Sequence, residues 1–107
     1  MDEICDVTIT ADDADWLAAF TRQLVEDRLA ACGNIVRGVR SIYRWEGEVE
    51  DDSEVMVTLH TRRSLVETII ERTIREHSYD IPQVLATSVV AANPAYHQWV
   101  LDQTRSS

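Results

Sequence analysis

Along this chain the apolar residues switch between a period of two and a helical period near 3.6, and the order of those switches restricts the fold. In residues 4–9, Cys5, Val7 and Ile9 alternate on one face, which predicts a strand. Residues 12–31 carry Leu17, Phe20, Leu24 and Val25 at helical spacing. Thr10 with Asp13 offers a capping-box-like start, and Gly33 a left-handed stop. Residues 34–46 are rich in strand formers, with Gly38 marking a bulge or bend. Gly47 and the acidic run Glu48 to Asp52 read as a turn region. Residues 54–61 alternate again, Val55, Val57 and Leu59 against Glu54, Met56, Thr58 and His60, so a long hairpin is expected. Residues 64–77 predict a second helix, with Ser64 and Glu67 as a capping box and Leu65, Val66, Ile69, Ile70 and Ile74 on one face. Pro82 blocks helix and precedes a buried strand, Val84 to Val90. Asn93-Pro94 then starts a short helix bearing Tyr96, Trp99 and Val100.

The resulting order, β-α-β-β-α-β plus a terminal helix, is the ferredoxin-like α+β arrangement, an antiparallel sheet with helices on one face. At 107 residues the chain is a single domain, 1–107. So small a domain has a modest core, and its second sheet face must meet another subunit or a ligand.

The formal net charge is −9 and all ten cations are arginine. Such a surface repels phosphate and anionic lipid, so neither nucleic acid nor a membrane is an expected partner. No apolar run approaches the ~18 residues that span a bilayer. Met1-Asp2-Glu3 is acidic and no apolar h-region follows, so the sequence reads as lacking a signal peptide. A cytoplasmic location is therefore expected, with Cys5 and Cys32 as free thiols.

No catalytic motif is present: no phosphate loop, no G-x-S-x-G and no H-E-x-x-H. The absence of lysine excludes Schiff-base chemistry. The expectation is a protein that is not an enzyme. Cysteine and histidine lack zinc-finger spacing, so no cofactor is required for folding. Cys32 reads either as a small core residue at a helix–strand junction or as a soft ligand for copper or a similar cation. His77, at a helix end, reads either as favourable C-terminal charge or as an imidazole ligand. His60 suits a satisfied, partly buried position, and His97 a solvated one. The carboxylates Glu46, Glu48, Glu50, Asp51, Asp52 and Glu54 read as a solvated turn, because a hairpin sends alternate side chains to opposite faces. Tyr43, Arg44 and Trp45 are residue types favoured both by edge packing and by interfaces and pockets.

Several stretches together resemble the CutA divalent-cation-tolerance family. They are Leu29-Ala30-Ala31-Cys32-Gly33-Asn34-Ile35-Val36, the segment Ser41-Ile42-Tyr43-Arg44-Trp45-Glu46-Gly47 with the arm to Glu54, and Thr61-Arg62. His77-Ser78-Tyr79-Asp80-Ile81-Pro82-Gln83-Val84, and Asn93-Pro94-Ala95-Tyr96 with Trp99, complete the pattern. The resemblance implies a ferredoxin-like homotrimer, similar in plan to PII signalling proteins, whose long hairpins join neighbouring sheets. It implies a role in tolerance of divalent cations, copper in particular, with Cys32 and His77 as metal ligands. Tyr43, Arg44, Trp45 and Glu54, with His60, Tyr79 and Trp99, form the expected ligand pocket or interface. The alternatives are a PII-like module that docks on a partner protein, or a small ferredoxin-like enzyme. Where the family usually has lysine before Thr-Arg this chain has His60, and where it usually has proline and glutamate it has Ser78 and Gln83. Gln83 weakens a hard-metal site, while His60 removes a permanent cation and adds a soft ligand.

Overall fold

The computed structural model describes residues 2–106. Strand β1 (Ile4–Ala11) leads to helix α1 (Ala14–Glu26), then to β2 (Cys32–Trp45) and β3 (Glu48–Arg62). A 3-10 turn (Arg63–Leu65) enters α2 (Val66–Glu76), followed by β4 (Val84–Ser88) and α3 (Pro94–Gln103). The four strands lie in the order β2-β3-β1-β4, every pair antiparallel, which is the ferredoxin-like topology.

The strand period decides the two faces. Val7, Ile9, Val55, Val57 and Leu59 point to one side and are buried against Leu17, Phe20, Leu24, Leu65 and Ile69 of the helical layer. The terminal helix makes a separate small core, Val100 and Leu101 against Ile4 and Ala31. Arg62 ties down its end, donating to the Leu101 carbonyl at 2.5 Å and to the Thr104 hydroxyl at 3.0 Å.

Several expectations about boundaries are corrected. Helix α1 begins at Asp13, whose carboxylate accepts from the backbone N–H groups of Asp15 and Trp16 at 3.0 Å, so it supplies the cap in place of Thr10. The helix stops at Asp27, well before Gly33. Gly33 instead lies in β2, where a Cβ would run into the Thr21 side chain, so glycine is needed for close helix–sheet approach. Ser64 makes no capping bond; it sits in the 3-10 turn, and Glu67 is taken by Arg63 at 2.8 Å. The acidic run is strand rather than turn. Trp45 pairs with Glu48, and Glu46 and Gly47 both take positive φ (48° and 83°), as a two-residue type I′ hairpin turn requires. Gly38 does mark a bulge, at φ 77°, where the register shifts between Val36 and Val39. Val25 and Ile74 are exposed, off the core stripe. Strand β4 is short and exposed, because it pairs only with β1 and nothing in the single chain covers its outer edge.

Candidate functional site

Two places on the sheet face opposite α1 and α2, which α3 covers only in part, gather polar and aromatic groups. The first arises from unequal strand lengths. Strand β1 ends at Ala11 opposite Val55, whereas β2 and β3 stay paired out to Trp45 and Glu48. The distal half of the hairpin is thus a two-stranded ribbon without a third strand, an arrangement marginal on its own in water. It carries Ile42 and Val49, each 64% exposed, together with half-exposed Tyr43 and Trp45.

At the base of this ribbon is a cleft of about 680 Å³ between β2 and the segment that leads to β4. Tyr43, Trp45 and Ile81 contribute apolar wall; Arg40, Glu54, Tyr79 and Gln83 contribute polar groups. Tyr79 donates its hydroxyl to Glu54 at 2.9 Å, and burial followed by that carboxylate push its phenol well up. Tyr43 donates to Asp52 at 2.5 Å, and the bond lifts its phenol to about 12. Arg40 grips Asp51 with two nitrogens at 2.9 and 2.6 Å and holds that carboxyl below its ordinary value. These contacts brace the ribbon across its strands. Of the expected pocket residues, Tyr43, Trp45, Glu54 and Tyr79 meet here. Arg44, opposite Val49, is exposed and not part of the lining.

The second place lies nearer the start of the sheet. Cys32 is opposite His60, and His60 is opposite Asp6, so three side chains form one row across β2, β3 and β1. Tyr96 reaches over from α3, its hydroxyl 2.7 Å from His60 Nδ1 and its ring edge-on to the imidazole. Trp99 stacks at an angle behind Tyr96, with ring centroids 5.4 Å apart. His60 and Trp99 of the expected set therefore belong here, away from the cleft.

His77 is elsewhere and otherwise employed. It ends α2, nearly buried between Trp16 and Tyr79. Its Nε2 donates to the Thr10 carbonyl at 2.7 Å, and its Nδ1 accepts the Tyr79 backbone N–H at 3.1 Å. Neither nitrogen is free for a cation, and the ring is no exposed helix-end charge. Thr10 lies four residues from Asp6, roughly 13 Å along β1, so one chain does not bring Cys32 and His77 together. His97 is not merely solvated: its Nε2 donates to the Asp2 carbonyl at 2.7 Å. Among the described residues no three His, Cys, Asp or Glu side chains converge as a set able to hold a metal ion.

Sequence reasoning missed Asp6 and Tyr96 as members of the row. Alternation did put Asp6 opposite Cys5 and Val7, but only the register shows which residues of β2 and β3 stand beside it.

The family of CutA1 divalent ion tolerance proteins matches this chain over residues 5–103. The divalent-cation tolerance protein CutA of Thermus thermophilus is 35% identical over 104 residues, covering 97% of this chain and 99% of that protein. The chloroplastic protein CutA of Arabidopsis thaliana is 36% identical over 100 residues, covering 94% of this chain and 55% of that protein. The chain spans about half the length of the plant and animal relatives it matches. The crystal structure of CutA1 from Oryza sativa superposes with a TM-score of 0.95 at 33% identity, covering 99% of this chain and 97% of that one.

Proposed function

The chain belongs to the CutA1 divalent ion tolerance family, and from that premise we propose that it works without catalysis, as a cytoplasmic homotrimer that takes a divalent cation or small ligand between its subunits. The overhanging ribbon carries this reading. An isolated two-stranded hairpin with Ile42, Tyr43, Trp45 and Val49 exposed is poorly stable unless something packs on it. A second copy offers what the ribbon lacks: the exposed edge of β4 with Leu85 and the half of the sheet that no helix covers. Cyclic symmetry lets each hairpin lie on its neighbour and closes the set without leaving an open end. In that assembly Tyr43, Arg44, Trp45, Glu54 and Tyr79 line the junction, and Cys32 is the chain's soft ligand. The second expected ligand, His77, would have to give up its hydrogen bonds to join it.

Solution mass decides the assembly. The wild type should be trimeric at micromolar concentration. Trp45→Arg should yield a smaller, folded species, because a guanidinium without a partner is costly in a buried junction. A wild type that persists as a monomer would overturn the reading. Thermal unfolding with a panel of cations and metabolites tests the ligand, since binding to the folded form raises the melting temperature by mass action.

Among the described residues no helix is long and apolar enough to cross a membrane. Two of the plant relatives are named as chloroplastic.

A further inference from the structure

Charge in the cleft at the base of the ribbon is of one sign. Cross-strand pairing sets Tyr43 and Trp45 on the same face as Glu48, Glu50, Asp52 and Glu54, and sends Arg40 and Arg44 to the other. Tyr79 and Tyr43 commit their only hydroxyl protons to Glu54 and Asp52. One oxygen of each carboxylate is left without a partner among the described residues. Arg40 reaches the rim, but its guanidinium is held by both oxygens of Asp51. Among the described residues no ion pair engages Glu54 or Asp80, the two carboxylates of the lining. The cleft thus joins aromatic walls to uncompensated negative charge, at a volume of about 680 Å³ that suits a small molecule.

We propose that this cleft binds an aliphatic polyamine, with ammonium groups on Glu54 and its neighbours Asp52 and Asp80 and the methylene stem against Trp45 and Ile81. The inference rests on the small-ligand part of the reading above and names the class of ligand. An ammonium brings donors and no acceptor, the complement of a carboxylate oxygen that has no partner. It is also drawn to the faces of tryptophan and tyrosine. An anionic ligand would meet Glu54 and Asp80 with Arg40 already engaged, and is disfavoured.

Spacing favours several amines over one compact ion. Asp52 and Glu54 are two residues apart on one strand face, about 7 Å along β3, so a second amine on a short spacer finds a second carboxylate. A hard metal ion needs several oxygens converging on one point, and among the described residues no such set of carboxylates exists. Burial and then Glu54 push the Tyr79 phenol up, and the bond to Asp52 lifts that of Tyr43 to about 12. Both hydroxyls therefore go on donating to the carboxylates over the pH range in which an alkylammonium keeps its proton. The chain has no lysine, so a neighbouring copy has no side-chain ammonium to place here. A neighbour's arginine is the other cation that could enter, and it would exclude an added amine.

The test is isothermal calorimetry of the full chain with spermidine at low ionic strength, beside magnesium chloride at matched ionic strength. The wild type should bind spermidine saturably, and magnesium at least about tenfold more weakly. Glu54→Gln should weaken spermidine binding at least about tenfold. Glu71→Gln, which removes the same charge from an exposed position on α2, should bind as the wild type does. Trp45→Leu should weaken binding about threefold. No saturable spermidine binding, equal affinity for magnesium, an affinity unmoved by Trp45→Leu, or equal losses in Glu54→Gln and Glu71→Gln would overturn the site. Circular dichroism reports folding; if Glu54→Gln fails to fold, Asp80→Asn, expected to weaken binding about threefold, decides in its place. Solution mass of the same samples separates the two levels of inference. Spermidine binding that depends on Glu54 in a monomeric chain upholds the cleft and overturns the trimer. A trimer that binds no spermidine overturns the cleft alone.

Discussion

The two faces of the central sheet are built from the same strands and differ in almost everything else. On one face Val7, Val57 and Leu59 are fully buried beneath α1 and α2. On the other their chain neighbours Asp6, Thr58 and His60 stay in contact with solvent. The first face is complete within one chain, and its residues are chosen by volume. The second is incomplete, and its residues are chosen by what they can bond to. The cysteines divide the same way. Cys5 is buried on the helical side, and burial, reinforced by Glu3, pushes its thiol up. Cys32 is half-buried on the open side, between a histidine and an amide.

The largest test of this contrast compares adjacent residues. Leu59→Ala should cost about 2–5 kcal/mol of stability, and Thr58→Ala less than about 1 kcal/mol, both by urea unfolding at one protein concentration. Equal losses would break the distinction between the faces. Gly33→Ala should cost about 1–3 kcal/mol through overpacking, because the new methyl meets Thr21. Adding Thr21→Ser, which removes the opposing methyl, should restore much of that loss. The buried Thr21 hydroxyl has no hydrogen-bond partner. Thr21→Val should therefore stabilise the fold by about 1 kcal/mol, visible as a higher urea midpoint. The smallest effect concerns pH. The folded Cys5 thiol keeps its proton above the ordinary value of 9.0, so its contribution is full below about pH 9. It falls as pH climbs from there through the raised folded value, because only the unfolded chain readily ionises. Cys5→Val should flatten that alkaline decline, and an unchanged slope would remove Cys5 as its source.

The covered face was largely legible in the sequence, since periodicity reports what a helix or strand buries. Val55, Val57 and Leu59 announced their face, and Leu17, Phe20 and Leu24 theirs. Local ends were harder. Thr10 and Asp13 both look like caps, and only the length of β1 decides between them. The acidic run at Glu48–Asp52 resembles a loop because its partners Arg40 and Tyr43 lie across the hairpin, out of reach of any local pattern. The open face was the least legible. Cys32, Tyr43, Trp45 and His60 stand out by residue type, yet their grouping into a cleft and a separate row depends on register and on the placement of α3.

The overhanging ribbon also bears on how the chain avoids sticking to the wrong molecule. A long strand with an unsatisfied edge and exposed Ile42 and Val49 is a template for indiscriminate strand addition. In the distal ribbon both β2 and β3 have an unpaired outer edge, and the second of these strands, β3, carries Glu48, Glu50, Asp51, Asp52 and Glu54. Any foreign strand that approached would have to strip water from several carboxylates at once, and a second copy of the same edge would meet like charge. The acidity that gives the whole chain its negative balance is concentrated where aggregation would otherwise begin. Replacing these carboxylates with amides removes the guard while leaving the apolar residues in place, so fibrillar or amorphous association is expected first in such variants.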